Sequence, residues 1–437
     1  MKANLILLPA VLLIFTGCFL ENEPSEPNLP VYEKEIVWTL ETDYYYSLDQ
    51  TLQDGKYLYC VESNSTYCNT DISFCISKID LETGQYVWKT RPIDSQENTT
   101  LIKSGDKLYI HDIYYTLYCF SDNDGTLLAT VLHGTTTDKR RKYAPALKGS
   151  IISYKNYLYW DSVYKNDDNE VIYRGINRFD TEKIDFSLGS SETQIIEPDV
   201  FWDISEKQYR LLICPISYNG YIYVQTAAEP ETGLKSTFFA LNAETGEEKW
   251  RYASDCMEGR GQHALYVIND KLYTFELDIA CYDIHTGRPL FENYFDLKDC
   301  KKKIYAGAID INDCVTYHEG KFYYTTASNI GGNLVGTPKE LIKNIFCIDA
   351  KSGEILWSDH PLYDCSLFTK PMIVNGKVFF LCHDELRVYE ADTGKLLGSD
   401  LSVSISAVSP SASYNGNFIF FNIDRKNFKT ILTAIKA

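Results

Sequence analysis

The sequence is short of positive charge and of the motifs that usually mark a catalytic site. Lys and Arg number 42 against 60 Asp and Glu, so the net charge is −18 and the pI about 4.9. This balance disfavours broad attraction to nucleic acid, and we predict no nucleic-acid partner. No Cys-x-x-Cys pair and no Gly-x-Ser-x-Gly elbow occur, so a zinc or dithiol site and a serine hydrolase have no support.

Other ligand patterns are equally sparse. The seven histidines stand singly, and no pair has the spacing that places two ligands on one helix face. Residues 166–170 lack the regular spacing of a calcium loop. Gly331 and Gly336 have P-loop spacing, but Thr337-Pro338-Lys339 follows in place of Gly-Lys-Thr/Ser. We therefore predict no catalytic, cofactor-binding or metal-binding residue, no cofactor and no enzymatic activity.

Residues that favour strands are abundant. Hydrophobic residues make up 45% of the chain, and it contains 34 Tyr and 21 Phe. No sustained 3.6-residue periodicity appears, and only residues 339–344 hint at a helical turn. The composition indicates an all-β protein with ample material for a packed core.

The N-terminus carries an export pattern. Lys2 precedes an apolar run, residues 5–15, that is too short to span a bilayer as a transmembrane helix. The run ends in Phe15-Thr16-Gly17-Cys18, which resembles the bacterial lipobox, in which the Cys is lipidated. We predict a lipoprotein signal peptide over 1–17, lipidation of Cys18 and a flexible, proline-containing tether over 18–34. An ordinary secretory signal with a chance cysteine is the alternative.

The predicted anchor also implies a location. Phe19 rather than Asp follows Cys18, which by the sorting rule of enteric lipoproteins favours the outer membrane. We place the domain on the periplasmic face, with the cell surface as an alternative. That oxidising compartment permits disulfides among the twelve remaining cysteines, although no pairing follows from sequence. The favoured participants are Cys60, Cys68, Cys75, Cys256, Cys300, Cys314 and Cys365.

One phrase recurs along the chain and reads small-x-polar-x-x-Thr-Gly-x-x-x-aromatic. Its cleanest copy runs from Ala240 through Gly246 to Trp250. A Gly suits the turn because a tight hairpin needs a positive φ. Cys119, Cys281 and Cys347 occupy the small position in other copies and are interpreted as small core residues. Further copies surround Gly84, Gly125, Gly287, Gly353 and Gly394, and a degenerate copy near Asp180 lacks both Gly and Trp.

A second series consists of eight short polar turns that lead into aromatic strands. Asn219-Gly220 before Tyr221 and Asn375-Gly376 before Val378 are examples. Gly, Asn and Asp at such turns are typical of two-residue β-hairpins. Eight hairpins paired with seven copies of the first phrase leave one repeat incomplete.

The two chain ends supply the missing repeat. Residues 434–437, Ala-Ile-Lys-Ala, match the start of the phrase at 347–350, and Glu35-Ile36-Val37-Trp38 matches its end at 354–357. We predict that the N-terminal strand completes the sheet built by the C-terminal strands, which leaves the ring without an open end. Residues 35–437 then form one eight-bladed β-propeller with four antiparallel strands per blade.

The recurring phrase resembles the tryptophan-docking motif of PQQ-like, or quinoprotein-type, eight-bladed propellers, over essentially all of residues 35–437. In that family each Trp packs on the neighbouring blade. The resemblance implies a structural docking role for Trp38, Trp88, Ala240, Gly246, Trp250, Cys347, Gly353 and Trp357. A lipoprotein signal joined to one propeller is similar to the BamB-type lipoproteins of the outer-membrane β-barrel assembly machinery.

An enzymatic alternative exists within the same superfamily. By resemblance, a quinoprotein dehydrogenase would need a vicinal Cys-Cys disulfide, a Trp disc under the cofactor and a calcium site of Glu, Asn and Asp. No adjacent Cys pair occurs in the chain. Trp160 and Trp202 lie outside the docking positions and are interpreted as packing residues.

Strand order assigns the connections to two faces. The turns after the first and third strands of each blade are tight, except in the degenerate third blade. Six long connections, residues 63–72, 130–147, 164–170, 227–236, 293–311 and 325–343, share the other face. We predict that this face of a monomeric propeller binds envelope proteins, with the β-barrel assembly machinery as the leading candidate. Neutral insertions are the alternative for the loops. The functional alternatives are a surface lipoprotein that binds another protein or a glycan, and a PQQ-dependent oxidoreductase.

Overall fold

The repeats fold into eight antiparallel four-stranded blades arranged as a propeller, which confirms the predicted fold class. The computed structural model describes residues 30–42, 50–63, 73–94, 98–112, 116–133, 151–165, 171–203, 212–226, 235, 237–253, 264–275, 278–294, 315–325, 345–359, 370–382, 385–403, 411–424 and 429–437. Over these ranges the helices are two 3₁₀ segments, Thr181–Lys183 and Phe186–Ser191. In the described part of the chain, no helix has both the length and the apolar character needed to cross a bilayer.

The strands follow the repeats closely. In chain order they are β1 (Ile36–Thr42), β2 (Gln50–Asp54), β3 (Tyr57–Ser63), β4 (Ser73–Asp80), β5 (Gln85–Lys89), β6 (Ile93–Asp94), β7 (Asn98–Ser104), β8 (Lys107–Asp112), β9 (Thr116–Ser121), β10 (Leu127–Leu132), β11 (Ile152–Tyr154), β12 (Tyr157–Lys165), β13 (Val171–Asp180), β14 (Thr193–Ile195), β15 (Asp199–Asp203), β16 (Leu212–Tyr218), β17 (Tyr221–Thr226), β18 (Thr237–Asn242), β19 (Glu248–Ala253), β20 (Ala264–Ile268), β21 (Lys271–Phe275), β22 (Asp278–Asp283), β23 (Pro289–Tyr294), β24 (Val315–His318), β25 (Lys321–Thr325), β26 (Ile345–Asp349), β27 (Ile355–Asp359), β28 (Met372–Val374), β29 (Lys377–Cys382), β30 (Glu385–Glu390), β31 (Leu396–Asp400), β32 (Ser411–Tyr414), β33 (Asn417–Asp424) and β34 (Lys429–Lys436).

Blades are numbered from the first complete sheet. Blade 1 is β2 to β5, blade 2 is β7 to β10, and blade 3 is β11, β12, β13 and β15. Blades 4 to 7 take four strands each from β16 to β31, and blade 8 is β32, β33, β34 and β1. The first strands of successive blades contact one another, as β2 does β7 and β28 does β32, so they form the inner ring. The fourth strand of each blade therefore lies at the rim.

The hairpin turns adopt the backbone that their residues predicted. Asn219 and Gly220 have φ of 46° and 79°, and Asn375 and Gly376 have φ of 50° and 72°. Two successive positive φ values are the mark of a type I′ turn, whose twist matches that of the flanking strands. These turns and the Thr-Gly turns share one side of the ring, here called the plain face. The long connections of the opposite side lie largely outside the described residues.

The chain ends form one sheet, as predicted. β1 pairs antiparallel with β34, which places Trp38 opposite Ala434 and Leu40 opposite Leu432. β34 in turn pairs with β33, so the C-terminal strand lies inside blade 8 and the N-terminal strand covers its outer edge. The ring is thus closed by hydrogen bonds between the two ends of the chain.

The hydrophobic core lies between blades and has no single centre. Neighbouring blades cover both faces of β4, the third strand of blade 1, which explains why its six consecutive residues from Phe74 to Ile79 are buried. At the closing seam, Leu58 and Ile79 of blade 1 pack with Ile419 and Leu432 of blade 8. Each seam depends on both of its blades, so we expect the ring to fold as one unit.

Candidate functional site

The repeated phrase places an aromatic side chain at the rim of most blades. Trp250 on β19 lies opposite Ala240 on β18, and Trp357 on β27 lies opposite Cys347 on β26. In both blades the register shifts directly after this pair. Trp88 lies opposite Lys78 in the same way. The small position and the aromatic position are therefore cross-strand partners at a β-bulge.

Each docking tryptophan reaches the following blade. Trp357 Nε1 donates a hydrogen bond to Ala391 O (2.9 Å), and a Cβ on Gly394 would lie 2.5 Å from the Trp357 ring. Gly394 also has a φ of 69°, so glycine is required there both for its backbone and for the close approach. The equivalent contacts are Trp38 with Leu81 O and Gly84, Trp88 with Asp122 O and Gly125, and Trp250 with Ile284 O and Gly287.

Blade 3 makes the same approach with different residues, which the sequence did not reveal. Gly246 of blade 4 (φ 73°) faces Phe201 of β15, whose carbonyl oxygen lies 2.4 Å from where a Cβ would be. The two 3₁₀ helices between β13 and β15 displace Phe201 from the usual spacing. Trp202 is buried beside Phe239, with ring centroids 4.8 Å apart. Gly353 (φ 74°) occupies the corresponding turn of blade 6.

The cysteines of the small positions are buried thiols. Cys119, Cys281 and Cys347 are free and fully buried, and burial raises their pKa values to about 12, 11 and 11. A thiol with such a raised pKa is a poor nucleophile at neutral pH. Cys60 is likewise a buried free thiol. Five cysteines considered for disulfides, and the predicted lipidation site Cys18, lie outside the described residues.

Tyrosine hydroxyls provide a second contact across the seams. Tyr273 OH donates to Ala350 O (2.9 Å), and Tyr159 OH donates to Ala243 O (2.5 Å). Both tyrosines belong to blades without a docking Trp, and the carbonyls they reach are equivalent to those that Trp38 and Trp357 use elsewhere. The signal in the sequence is the Tyr that recurs at the third position of the second strand.

A charged cluster occupies the seam between blades 1 and 2. The Asp122 carboxylate accepts hydrogen bonds from Lys78 Nζ (2.9 Å) and Tyr59 OH (2.5 Å), and Lys103 Nζ lies 2.8 Å from it. Burial alone would raise the pKa of Asp122, but the bonds from Lys103, Lys78 and Tyr59 outweigh it and lower the pKa to about 2. Lys78 can therefore occupy the motif position that is Ala or Cys in other blades. The next blade supplies a carboxylate for its charge, and the Tyr57 ring lies 4.4 Å from its Nζ.

Two blades without the rim aromatic are each covered by an additional segment that runs parallel to the fourth strand. Their residues at that position are Ala129 in blade 2 and Gly398 in blade 7. In blade 2, β14 from the blade 3 insertion pairs in parallel with β10, and Ile196 packs into the same core cluster as Ala129. In blade 7, residues 30–32 pair in parallel with β31. The chain therefore covers these two edges with its own segments.

The segment on blade 7 is part of the predicted tether. Tyr32 N donates to Ser399 O (2.8 Å), and Ser399 N donates to Pro30 O (2.9 Å). The Tyr32 ring meets Phe379 edge to face at 6.1 Å. Lys34 Nζ bonds Asp400 at 2.5 Å. Residues 30–34 are thus held against blade 7, and Tyr32 packs where other blades place a tryptophan.

Replacing Gly398 with Ala is expected to release this segment. A Cβ at Gly398 would lie 2.9 Å from Tyr32 N and 3.0 Å from Pro30 O, so the backbone of residues 30–32 must move away. Hydrogen exchange of the Tyr32 and Ser399 amides measures the effect, and we expect at least tenfold faster exchange in Gly398→Ala. Ser413→Ala, in blade 8, is a control that should leave both amides protected. Unchanged protection in Gly398→Ala would contradict the packing described here.

A pair of buried histidines lies between blades 2 and 3. His111 on β8 and His133 after β10 are buried, their Nε2 atoms are in hydrogen-bond contact, and their rings stack at 4.5 Å. Trp160 packs against both, at 5.6 and 4.9 Å. Burial lowers the pKa of His111 to about 3, and burial together with the His111 charge lowers the pKa of His133. Sequence reasoning missed this pair because the two histidines lie on the second strand of blade 2 and just after its fourth strand, which come together only in the folded sheet and not on one helix face.

Acidification is expected to destabilise the protein through this pair. The folded-state pKa values lie below the ordinary value near 6.5, so the unfolded chain binds more protons below that pH. The stabilisation is complete above pH 6.5 and is lost as the pH falls. We expect the free energy of unfolding to drop by about 2–3 kcal/mol from this source between pH 7.5 and 5.5, measured by urea denaturation. The His111→Gln/His133→Gln variant should lose most of this slope; an equal slope would exclude the pair as its origin.

Comparisons with known proteins identify the fold. No protein-family model matches the sequence, and no curated protein matches it. BamB from Moraxella catarrhalis is similar in structure, at 12% identity and a TM-score of 0.55, over 93% of this chain and 98% of that chain. A europium-containing methanol dehydrogenase matches at 12% and 0.58, over 92% and 93%. The quinohemoprotein alcohol dehydrogenase from Comamonas testosteroni matches at 12% and 0.57, over 92% and 76%.

These likenesses confirm the resemblance to PQQ-like eight-bladed propellers at the level of the fold. At such identities they show the fold alone. The same architecture occurs in BamB and in dehydrogenases, so the fold by itself does not decide between binding and catalysis.

Proposed function

We propose that the protein is a lipid-anchored, non-catalytic propeller that binds envelope proteins, with a role in the assembly of outer-membrane β-barrel proteins. The observation that carries this proposal is how the repeated side chains are used. The aromatic, hydroxyl and charged groups of the motif make contacts between blades, as Trp357 and Tyr273 do. They hold a rigid ring together, and such a ring is suited to presenting loops to a partner.

The residues present do not fit a quinone cofactor. The resemblance requires adjacent cysteines and a calcium site of Glu, Asn and Asp, and the chain contains no adjacent Cys pair. Among the residues that the structure describes, no three His, Cys, Asp or Glu side chains group so as to hold a metal ion. Trp160, one candidate for the disc beneath a cofactor, is buried against the histidine pair instead.

The proposed partner surface is the face opposite the plain face. The second and fourth strands of each blade end there, and the long connections begin at these ends. Arg91, just after β5, and Ala253, the last residue of β19, are exposed and stand at the ends of fourth strands on this side of the ring. On the plain face, Lys351 and Asp392 are exposed in Thr-Gly-type turns.

Site-specific photocrosslinking of the full-length protein in living cells tests the proposal. We expect a photoreactive amino acid at Arg91 or Ala253 to capture outer-membrane assembly proteins, identified by mass spectrometry. The same group at Lys351 or Asp392 is the matched control on the plain face and should capture several-fold less. Failure of both loop-face positions to capture an envelope protein would overturn the proposal. Capture of glycan by these positions would favour a surface glycan-binding role.

A further inference from the structure

We infer that the rim of blades 7 and 8 faces the lipid bilayer, so that the propeller stands on its edge. The surface in question, here called the 7–8 rim, comprises Val31, Ile36, Val37 and Leu401. The inference rests on the proposed anchor at Cys18. It adds an orientation and a second contact, between protein side chains and lipid.

The chain leaves the ring at a defined point. Residues 30–32 are hydrogen-bonded in parallel to β31, and the Lys34–Asp400 ion pair, with Lys34 Nζ also 2.9 Å from Ser402 Oγ, holds the same segment. Pro30 is therefore fixed at the outer edge of blade 7. Any anchor that precedes it pulls on that edge and on no other part of the ring.

The distance from the anchor is limited by chain length. Twelve peptide steps separate Cys18 from Pro30. At no more than about 3.6 Å per residue, they span at most about 43 Å. Four strands per blade, about 4.8 Å apart on either side of a central channel, make the ring roughly 40 Å across. The tether therefore limits the edge of blade 7 to about 43 Å from the anchor, whereas blade 3, diametrically opposite, can lie a further ring diameter of about 40 Å away.

Apolar exposure is greatest at this exit point. Val31 and Leu401 are 78% and 74% exposed, the largest values among the exposed large hydrophobic side chains described. Val31 is bridged to Ser399, two residues before Leu401, so both belong to the same edge. Ile36 and Val37, on β1 at the rim of blade 8, are 54% and 46% exposed. Exposed apolar side chains beside a lipid anchor gain free energy by entering the headgroup boundary.

The plain face is a poor alternative for contact with lipid. Its turns carry exposed carboxylates, and the side chains of Glu319, Asp392 and Asp106 are 85%, 80% and 74% exposed. Dehydrating these groups, or placing them on anionic headgroups, costs free energy. Glu33 and Glu35 beside the 7–8 rim are exposed as well, so the lipid that fits this rim is zwitterionic. Standing on the rim leaves both faces of the ring accessible to protein partners.

Photocrosslinking to lipid tests the orientation. The full-length lipidated protein is reconstituted in phosphatidylethanolamine-rich vesicles with a benzophenone amino acid at Leu401 or at Val200. Val200 is the matched control, because it is 59% exposed on the rim of blade 3, opposite blade 7. We expect at least fivefold more lipid adduct at Leu401 than at Val200, by mass spectrometry.

The possible outcomes separate this inference from the proposed function. Equal adduct yields at the two positions, or no lipid adduct at Leu401 in protein that floats with the vesicles, would overturn the orientation and leave the anchor intact. Two results would overturn both the orientation and the proposed anchor. One is that the Cys18→Ser variant binds membranes in cells as well as the parent, and the other is that the full-length protein never floats with the vesicles. Adducts from Leu401 to protein alone in native membranes would assign this rim to a protein partner and also overturn the inference.

Discussion

Deletion of β34, residues 429–436, is expected to prevent folding of the whole ring and not only of blade 8. Leu432 and Ala434 are fully buried in the seam with blade 1, and Ile435 is fully buried in the seam with blade 7. Removing the strand opens both seams and leaves β1 without its hydrogen-bonding partner. At about 1.5–3 kcal/mol for each large apolar side chain, losing Leu432 and Ile435 and uncovering their partners across both seams costs about as much as the typical stability of a domain, about 5–15 kcal/mol. Near-ultraviolet circular dichroism and size-exclusion chromatography should show no compact, packed species.

A single substitution in β34 tests the same closing strand without shortening the chain. Ala434→Arg buries a charge opposite Trp38, whereas Lys436→Arg makes a change on the same strand at an exposed position. We expect Ala434→Arg to abolish soluble, folded protein and Lys436→Arg to behave as the parent. A deletion variant that remains compact and resists proteolysis would mean that seven blades close without this strand.

Replacing Gly394 with Ala is expected to cost about 2–4 kcal/mol of unfolding free energy, well beyond the cost of its backbone conformation. A Cβ at this position would lie 2.5 Å from the Trp357 ring, which is also hydrogen-bonded to Ala391 O and cannot retreat freely. The alanine introduced at position 394 must either displace the Trp357 ring or distort the turn. Overpacking of this kind adds about 1–3 kcal/mol to the roughly 1 kcal/mol of a left-handed alanine.

Gly376 in the same blade is a close control. Its φ is 72° against 69° for Gly394, but nothing lies within 4 Å of its missing Cβ. Gly376→Ala therefore reports the backbone cost alone, and the difference between the two variants in urea denaturation isolates the docking contact. Equal losses in the two variants would show that the Trp does not depend on the glycine.

Turn chemistry explains why so much of the fold was predictable. A type I′ hairpin admits few residue types, so Asn219-Gly220 and Asn375-Gly376 mark their turns without any knowledge of the rest of the chain. The match between residues 35–38 and 354–357 located the closing strand for a similar reason. The C-terminus carries the first half of this repeat and the N-terminus carries the second half. Pairing of β1 with β34 joins the two halves into one complete repeat.

The features that sequence reasoning missed are those that depend on distant partners. Gly398 stands where the motif has an aromatic residue, and the residue that compensates for it, Tyr32, lies near the other end of the chain. Lys78 departs from the small residues of its position, and its partner Asp122 belongs to the next blade. His111 and His133 come together only through strand pairing. In each case the sequence shows both residues, but only the fold shows that they are partners in a contact.

Disulfide trapping between the two chain ends tests the closed ring most directly. Glu41 and Ile431 are paired in the β1–β34 ladder. Their separation should suit a disulfide, since cross-strand Cα atoms lie about 4.5–5.5 Å apart. Closure through the chain ends predicts that Glu41→Cys/Ile431→Cys forms this bond in most of the oxidised protein, identified by mass spectrometry. Glu41→Cys/Ser413→Cys should not react, because β32 is three strands away, about 14 Å. Absence of the 41–431 bond, or an equal yield at 413, would contradict it.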